Sequence, residues 1–293
     1  MINRRQLIFL IVLLVVTAGA IAFLVVSDRR ARGDRVPKGT AEQPEPAVPD
    51  DEEFAPDETV PDEADQFDLY LVLDDAGQAI DEIKRLKGFS GPYTLAVLPD
   101  LPHSLEVTKR AIAEGHEVIL HQPMEALNGE DPGPGAIFAD QSEEEIRAVL
   151  RENMQRYPGF VGMNNHMGSR ITSDPRVVEI ILDVIAETGL FFLDSRTTAS
   201  SVVPTVASGR GMTVLVRQVF LDHYREADTI REQLDLALEI ARATGSVIMI
   251  GHVTVPETLQ LLIEREDELV AEGFRFRPLS HAYQEAIGAD AGY

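Results

Sequence analysis

The chain has no cysteine and no tryptophan, and its 26 lysines and arginines are outnumbered by 49 aspartates and glutamates. Each shortage excludes something. Without cysteine there are no disulfides and no thiolate metal sites, so any metal must be held by His, Asp, Glu or Asn. A formal net charge of −23 argues against nucleic acid, whose phosphates are bound by clusters of Lys and Arg. A phosphate-cradling glycine loop is also missing. The stretch Gly129–Gly135, GEDPGPG, has the wrong shape and no following lysine, so it reads as a surface loop and no nucleotide is expected.

The acidic excess is unevenly spread. Gly39–Gln66 contains no basic residue and few large apolar ones. Rich in proline and acid, it cannot bury enough surface to offset the entropy of ordering, and it reads as a disordered, self-repelling spacer. Ahead of it, Gln6–Val26 is an almost unbroken apolar run preceded by Arg4 and Arg5. Roughly 20 such residues suffice to cross a bilayer as a helix, so a membrane anchor or signal segment is expected. Small residues at Ala18, Gly19, Ala20 and Ala22 could form a cleavage site, but the run continues past them, which favours a retained anchor. Arg29, Arg30, Arg32, Arg35 and Lys38 follow it, and the positive-inside rule by itself would hold that side in the cytoplasm. The expected domains are therefore 1–27, anchor or signal; 28–67, linker; and 68–293, one folded domain.

From Asp68 onward short apolar runs alternate with amphipathic stretches. Strand-like runs are Tyr70–Leu73, Tyr93–Leu98, Glu117–His121, Phe160–Met163, Leu190–Asp194, Met212–Asp222, Ser246–His252 and Phe274–Leu279. Helical patterns at 104–114, 142–157, 174–188, 227–244 and 256–272 separate most of them, and several end at a glycine: Gly115, Gly189, Gly245 and Gly273. That rhythm predicts an α/β fold with a mainly parallel sheet. Seven or eight such units suit a closed or nearly closed barrel better than an open sheet.

Polar residues recur at the ends of these strands. The organising stretch is YLVLDDAG, in which four apolar residues run into Asp74 and Asp75. Consecutive strand residues point to opposite faces, so the two carboxylates can serve one site only if the loop re-aims one of them. Aspartate at a strand–helix junction also caps helices, so the pair alone defines nothing. His121 ends the third run in HQPME, His166 follows the fourth in GMNNHMGSR, Asp194 ends the fifth, Asp222 and His223 the sixth, and His252 the seventh. In a parallel barrel these ends meet at one face. An aspartate with two histidines suits zinc or a similar divalent ion that activates water. Around His166, Asn164, Asn165, Ser169 and Arg170 could orient ligands or an oxyanion, or build a hydrogen-bonded loop.

Taken in order, LVLDDAG, GHEVILHQPME, GMNNHMGSRIT, GLFFLDSRTT, VFLDH and VIMIGH resemble the divergent polysaccharide deacetylase family, a distant branch of the carbohydrate esterase family 4 deacetylases. The resemblance runs from Asp68 to Leu279. It implies a distorted (β/α) barrel, exported behind an N-terminal signal or anchor, hence tethered to the inner membrane with its domain in the periplasm. It also implies roles: Asp74 as general base, Asp75 and His121 as metal ligands, and His252 as general acid. Glu125 stands where the family has a second metal histidine, so the third ligand is Glu125 or, preferably, His166. Asp194 resembles the aspartate of the fourth motif, with Asp222 the alternative partner for His252. Arg170 and Arg196 are candidates for the arginine that orients the base. Asn164, Asn165, Ser169 and Asp222 are expected around the substrate.

The implied activity is metal-dependent removal of acetyl groups from an acetylated polysaccharide or envelope glycan, with zinc the first choice of metal and no redox cofactor. The competing reading is a non-catalytic envelope protein that binds glycan or a partner on the same fold. The missing second histidine and the lack of tryptophan for an aromatic groove wall leave room for it, but Asp74, Asp75, His121 and His252 together argue against it, since binding alone requires no base and acid. A phosphoesterase is disfavoured because few Lys or Arg lie near the motifs apart from Arg170 and Arg196.

Overall fold

Strand β1 (Phe67–Ala76) is apolar on both faces for most of its length, as a strand covered on both sides must be. It sits at the middle of the sheet. Along one edge it pairs with β8 (Ser246–His252), and the other edge is shared by β9 (Phe274–Arg277) over its first half and β2 (Thr94–Val97) over its second. From β2 the sheet continues through β3 (Glu117–Met124), β4 (Gly162–Met167) and β5 (Phe191–Asp194) to β6 (Leu215–Val216). Beyond β8 it ends at β7 (Val219–Phe220), and every pairing is parallel. The computed structural model describes residues 66–157 and 159–290. The apolar segment expected in 1–27 and nearly all of the linker expected in 28–67 lie outside the described residues. Among the described residues no helix is long and apolar enough to cross a membrane.

The two terminal strands of this path, β6 and β7, are neighbours in sequence, separated only by Arg217 and Gln218. Two residues span little more than one inter-strand distance, so the sheet must curl until its edges nearly meet. The run Met212–Asp222, expected as one strand, is thus one extended segment that changes partner midway. Arg217 N donates to Asp194 O of β5 (3.1 Å), and Gln218 N donates to Ile248 O of β8 (2.9 Å). The result is a curled, parallel α/β half-barrel drawn together by this seam.

Alternation along each strand sorts the apolar residues into two cores. Leu69, Leu71 and Leu73 of β1 face outward with Val118, Leu120, Met163, Phe192, Val247 and Met249, and the helices pack on them. Those helices are α2 (Ser104–Ala113), α3 (Glu143–Arg156), α4 (Pro175–Thr188), α6 (Ala227–Thr244) and α7 (Pro256–Ala271), with the shorter α1 (Asp81–Lys84) and α5 (Val203–Gly209) between. Tyr70, Val72, Ala96, Ile119, Phe191, Leu193, Ile248 and Ile250 face inward. The last helix, α8 (Leu279–Asp290), closes this inner core from the strands' N-terminal end: Leu279 and Ala282 enter it, Leu279 N donates to Thr94 Oγ1 (3.0 Å), and Tyr70 Oη donates to Glu285 (2.6 Å).

Local signals set the helix ends. Ser142 and Glu145 form a capping box before α3, and Asp174 accepts from Arg176 N and Val177 N with Pro175 in the first turn of α4. Gly189 and Gly245 stop α4 and α6 in the left-handed conformation, with φ of 71° and 90°. Ser104, the first residue of α2, ties the preceding turn by donating to Leu98 O (2.6 Å) and accepting from Leu101 N (3.2 Å).

Gly162 faces the inner core, where a Cβ would lie 2.4 Å from the Phe191 ring. Gly162→Ala should therefore lower stability by about 1–3 kcal/mol through overpacking. Gly209→Ala, which meets nothing within 4 Å, serves as the control. Equal melting temperatures for the two variants would remove this account of the inner core.

Candidate active site

At the C-terminal end of the strands the inward-facing rows turn from apolar to polar. Above Val72 stands Asp74, above Ile119 His121, above Gly162 Asn164 and then His166, and above Ile250 His252. Strand register sets neighbours side by side: Asp74 pairs with His252, and His121 with Asn164. Asp75 belongs to the opposite face by alternation. It joins the cluster because the β1–β2 register slips between Leu73 and Ala76 and Asp75 takes φ of 66°. A bulge of this kind re-aims one side chain.

Three ligand-type atoms converge there. His121 Nε2 lies 3.3 Å and His166 Nδ1 3.0 Å from Asp75 Oδ1, and the two imidazole nitrogens are 3.1 Å apart. Asp75 Oδ1 is buried and makes no hydrogen bond of good geometry. Two imidazoles aimed at an orphaned carboxylate oxygen at these separations form one face of a tetrahedral ligand set, whose edges are about 3.3 Å for zinc–nitrogen bonds of about 2.0–2.1 Å. The donor set fits a divalent cation. Asn164 prepares it by bridging two members: its Oδ1 faces His121 Nδ1 at 2.7 Å, and its Nδ2 donates to Asp74 Oδ1 at 2.9 Å. The first contact fixes the imidazole orientation that leaves Nε2 for the cluster.

Beside the cluster His252 Nε2 lies 3.9 Å from Asp75 Oδ2, and its Nδ1 lies 2.7 Å from Asp222 Oδ1. Asp222 is buried and held by His252 N (2.8 Å) and Thr258 Oγ1 (2.7 Å). Gly251 makes room for this triad: a Cβ there would sit 2.9 Å from Thr258 Cγ2.

The electrostatics separate the titratable groups. Burial pushes Asp74 up, and His121, His252 and Asn164 only partly offset it. Burial acts on Asp75 in the same direction, but the facing imidazoles of His121 and His166 outweigh it and hold this carboxyl well below its usual range. For His252, burial favours the neutral ring, yet Asp222 and the two more distant aspartates prevail and push it up to about 9.

The other expected residues fall elsewhere. Glu125 is not in the cluster: it accepts from Ala139 N (2.8 Å) and faces Arg170 Nη1 (3.2 Å), so this pair braces a loop. Ser169 Oγ accepts from Leu127 N, which ties the same region. Asp194 is at the opposite parity to Leu193 and faces away from the cavity, accepting from Ser201 Oγ (2.7 Å) and Arg196 N (2.8 Å). Asn165 lines the cavity, but its Oδ1 accepts from Ser195 N and its Nδ2 donates to Met167 O. Arg196 lines the cavity as well, in a left-handed conformation with φ of 47°.

A cavity of about 610 Å³ opens over the cluster, with Asp74, His121, His166 and His252 on its floor. A smaller recess of about 220 Å³ reaches Asp75 and His166 from the other side, walled by Asp131–Pro134 of the loop expected to be plain surface. Sequence reasoning missed Arg217, Phe220 and Arg225 in the larger cavity, and Thr258 behind Asp222. A signal existed for Arg217, a charged residue in the middle of the apolar run Leu215–Phe220.

A curled parallel α/β sheet with an aspartate–histidine cluster at its strand ends defines a class of site in which metal-assisted chemistry is possible. Within that class the chain belongs to the divergent polysaccharide deacetylase family, which matches residues 71–283. The uncharacterized protein YibQ of Escherichia coli K12 is 34% identical over 194 residues, 66% of this chain and 60% of that protein. The chain therefore spans less than two thirds of that relative's length. An uncharacterized protein of Haemophilus influenzae is 30% identical over 67% of this chain and 70% of its own length. Among solved structures, an uncharacterized protein of Agrobacterium tumefaciens C58 shares the fold, with a TM-score of 0.71 at 22% identity over 75% of this chain and 91% of that one.

The pairing of His252 with Asp222 yields a prediction for the metal-free protein. A histidine raised to about 9 from 6.5 contributes stability fully present below about pH 6.5 and lost as pH rises through about 9. Asp222→Asn should move the His252 titration, followed by NMR in chelator, downward towards the ordinary value. An unmoved titration would show that Asp222 does not hold the proton.

Proposed function

We propose that the protein is a metal-dependent hydrolase that removes acetyl groups from an acetylated envelope glycan. The observation that carries this is the convergence of Asp75, His121 and His166 between a buried carboxylate, Asp74, and an imidazole held by a carboxylate, His252. Asp74 lies 3.6 Å from His121, and His252 lies 3.9 Å from Asp75. Family membership supports the glycan as substrate class, and a cavity of about 610 Å³ is in the size range of small-molecule sites.

Asp75, His121 and His166 would hold the ion, with His166 in place of the displaced histidine that Glu125 does not supply. A divalent ion such as zinc, when bound, supplies Lewis acidity and a water of lowered pKa. Asp74 Oδ2, which accepts no hydrogen bond from Asn164 and faces His121 Nε2 at 3.6 Å, takes the proton of the attacking water, and burial raises its affinity for that proton. His252 stays protonated through its bond to Asp222 and delivers a proton to the departing amine or alcohol. Two titratable groups pushed towards complementary roles in one enclosed site are what acid–base chemistry near neutral pH requires. The apolar run Gln6–Val26 and the acidic spacer after it support a protein anchored in the inner membrane with this domain in the periplasm.

The test is metal content by elemental analysis together with acetate release from acetylated glycan, both on the full chain. Asp75→Ala and His166→Ala should lose the ion. Asp74→Asn should keep it while acetate release falls by about 10²–10⁴-fold. Unchanged ion content in Asp75→Ala, or full turnover in Asp74→Asn, would sink the assigned roles. Glycan binding without acetate release under added zinc would instead make the protein a binding module.

A further inference from the structure

One wall of the larger cavity carries Arg196, Arg217 and Arg225, in a chain whose acidic residues outnumber its basic ones by 49 to 26. Arginines elsewhere are commonly matched to carboxylates, as Arg147 is to Glu143, Asp183 and Glu187 and Arg265 to Asp235 and Glu268. Among the described residues no carboxylate lies within ion-pairing distance of these three. The acids on the cavity wall are already engaged: Asp74 by Asn164, Asp222 by His252 and Thr258, and Glu130 by the Asn128 amide.

Arg217 is the most telling. It occupies the seam of the sheet, donates from Nε to Ser195 O (2.6 Å) and from Nη2 to Arg196 O (2.9 Å), and lies 4.6 Å over the Phe220 ring. The rest of its fork is left without a partner. Burial lowers it only to about 10, so it stays charged. A part-buried guanidinium on which Asp194 and Asp74 act only from beyond ion-pairing distance is under-compensated, and the cost is offset when a ligand brings a closer anion. Arg196, whose carbonyl receives Arg217, is held in a left-handed conformation that a non-glycine residue adopts at a cost.

We infer that this wall receives a carboxylate of the substrate, so that the glycan is an acidic one. A planar guanidinium fork matches a carboxylate in two parallel hydrogen bonds. The inference rests on the glycan reading above and adds the charge class of the substrate to it. The overall negative charge of the chain repels acidic polymers at long range, so recognition falls to these short-range contacts, of which that of the part-buried Arg217 is screened least by salt and those of the exposed Arg196 and Arg225 more.

The test uses calorimetric binding to the full chain of three oligosaccharides matched in length. One alternates N-acetylglucosamine with glucuronate, one is N-acetylglucosamine alone, and one is N-acetylglucosamine bearing phosphate. The glucuronate oligomer should bind at least about tenfold tighter than the neutral one, and the preference should weaken in the Arg196→Gln/Arg225→Gln double variant and vanish when Arg217→Gln is added. The double variant leaves the seam residue in place, and the melting temperature of each variant checks its fold. Equal binding of neutral and acidic oligomers, a preference unchanged by the double substitution, or one that survives the triple substitution would overturn the inference. Tighter binding of the phosphate oligomer would overturn the carboxylate assignment. Acetate release measured in parallel separates the two readings. Arginine-dependent binding without acetate release leaves this inference standing and removes hydrolysis, and acetate release from both oligomers without a binding preference does the reverse.

Discussion

The curled sheet is held closed by one extended segment, Leu215–Leu221, whose first half bonds to β5 and whose second half bonds to β8. Without that seam, the 196–197 loop after β5 and His252 of β8, the second and seventh strands of an eight-strand path, would stand far apart. With it, the inward rows of β1, β3, β4 and β8 surround one volume. Its lower part is filled by apolar side chains and plugged by α8, so only the upper part remains for chemistry. The site and the core are thus successive stretches of the same alternating rows.

The cluster itself is unfavourable without something to bind. Asp74, Asp75 and His121 are brought together where water is largely excluded, and such groups lose more hydration than their mutual attraction readily returns. The protein manages this by surrounding them with oriented partners. Asn164 joins Asp74 to His121, and Asp222, itself held by Thr258, fixes His252. Left-handed backbone at Met167 and Arg196 borders the larger cavity, and at Asp75 it borders the smaller recess. Strain of this kind persists where surrounding structure over-determines it, as at functional sites.

Much of this was legible in the residues. Helices α2, α3, α4, α6 and α7 were readable from periodicity, from Ser142 with Glu145, from Asp174 with Pro175, and from Gly189 and Gly245, because caps and amphipathic faces are local properties. The polar endings of strand after strand were readable too, because in a parallel sheet a strand's C-terminal residues share one face. The split of Met212–Asp222 was not readable: an extended run looks the same whether it pairs with one neighbour or changes partner midway.

The sequence by itself determined the succession of strands and helices, the alternation that turns Asp74, His121, Asn164 and His252 inward, and the acids and histidines available for a site. Tertiary structure alone decided which of them meet. Asp75 joins His121 and His166 through a bulge in β1, and Glu125 is drawn away to Arg170. Asp222 rather than Asp194 reaches His252, and Arg217 comes to the cavity through the seam. The reason is physical: side-chain direction along a strand follows from local geometry, whereas bulges, loop bracing and the meeting of distant edges depend on contacts between residues far apart in the chain.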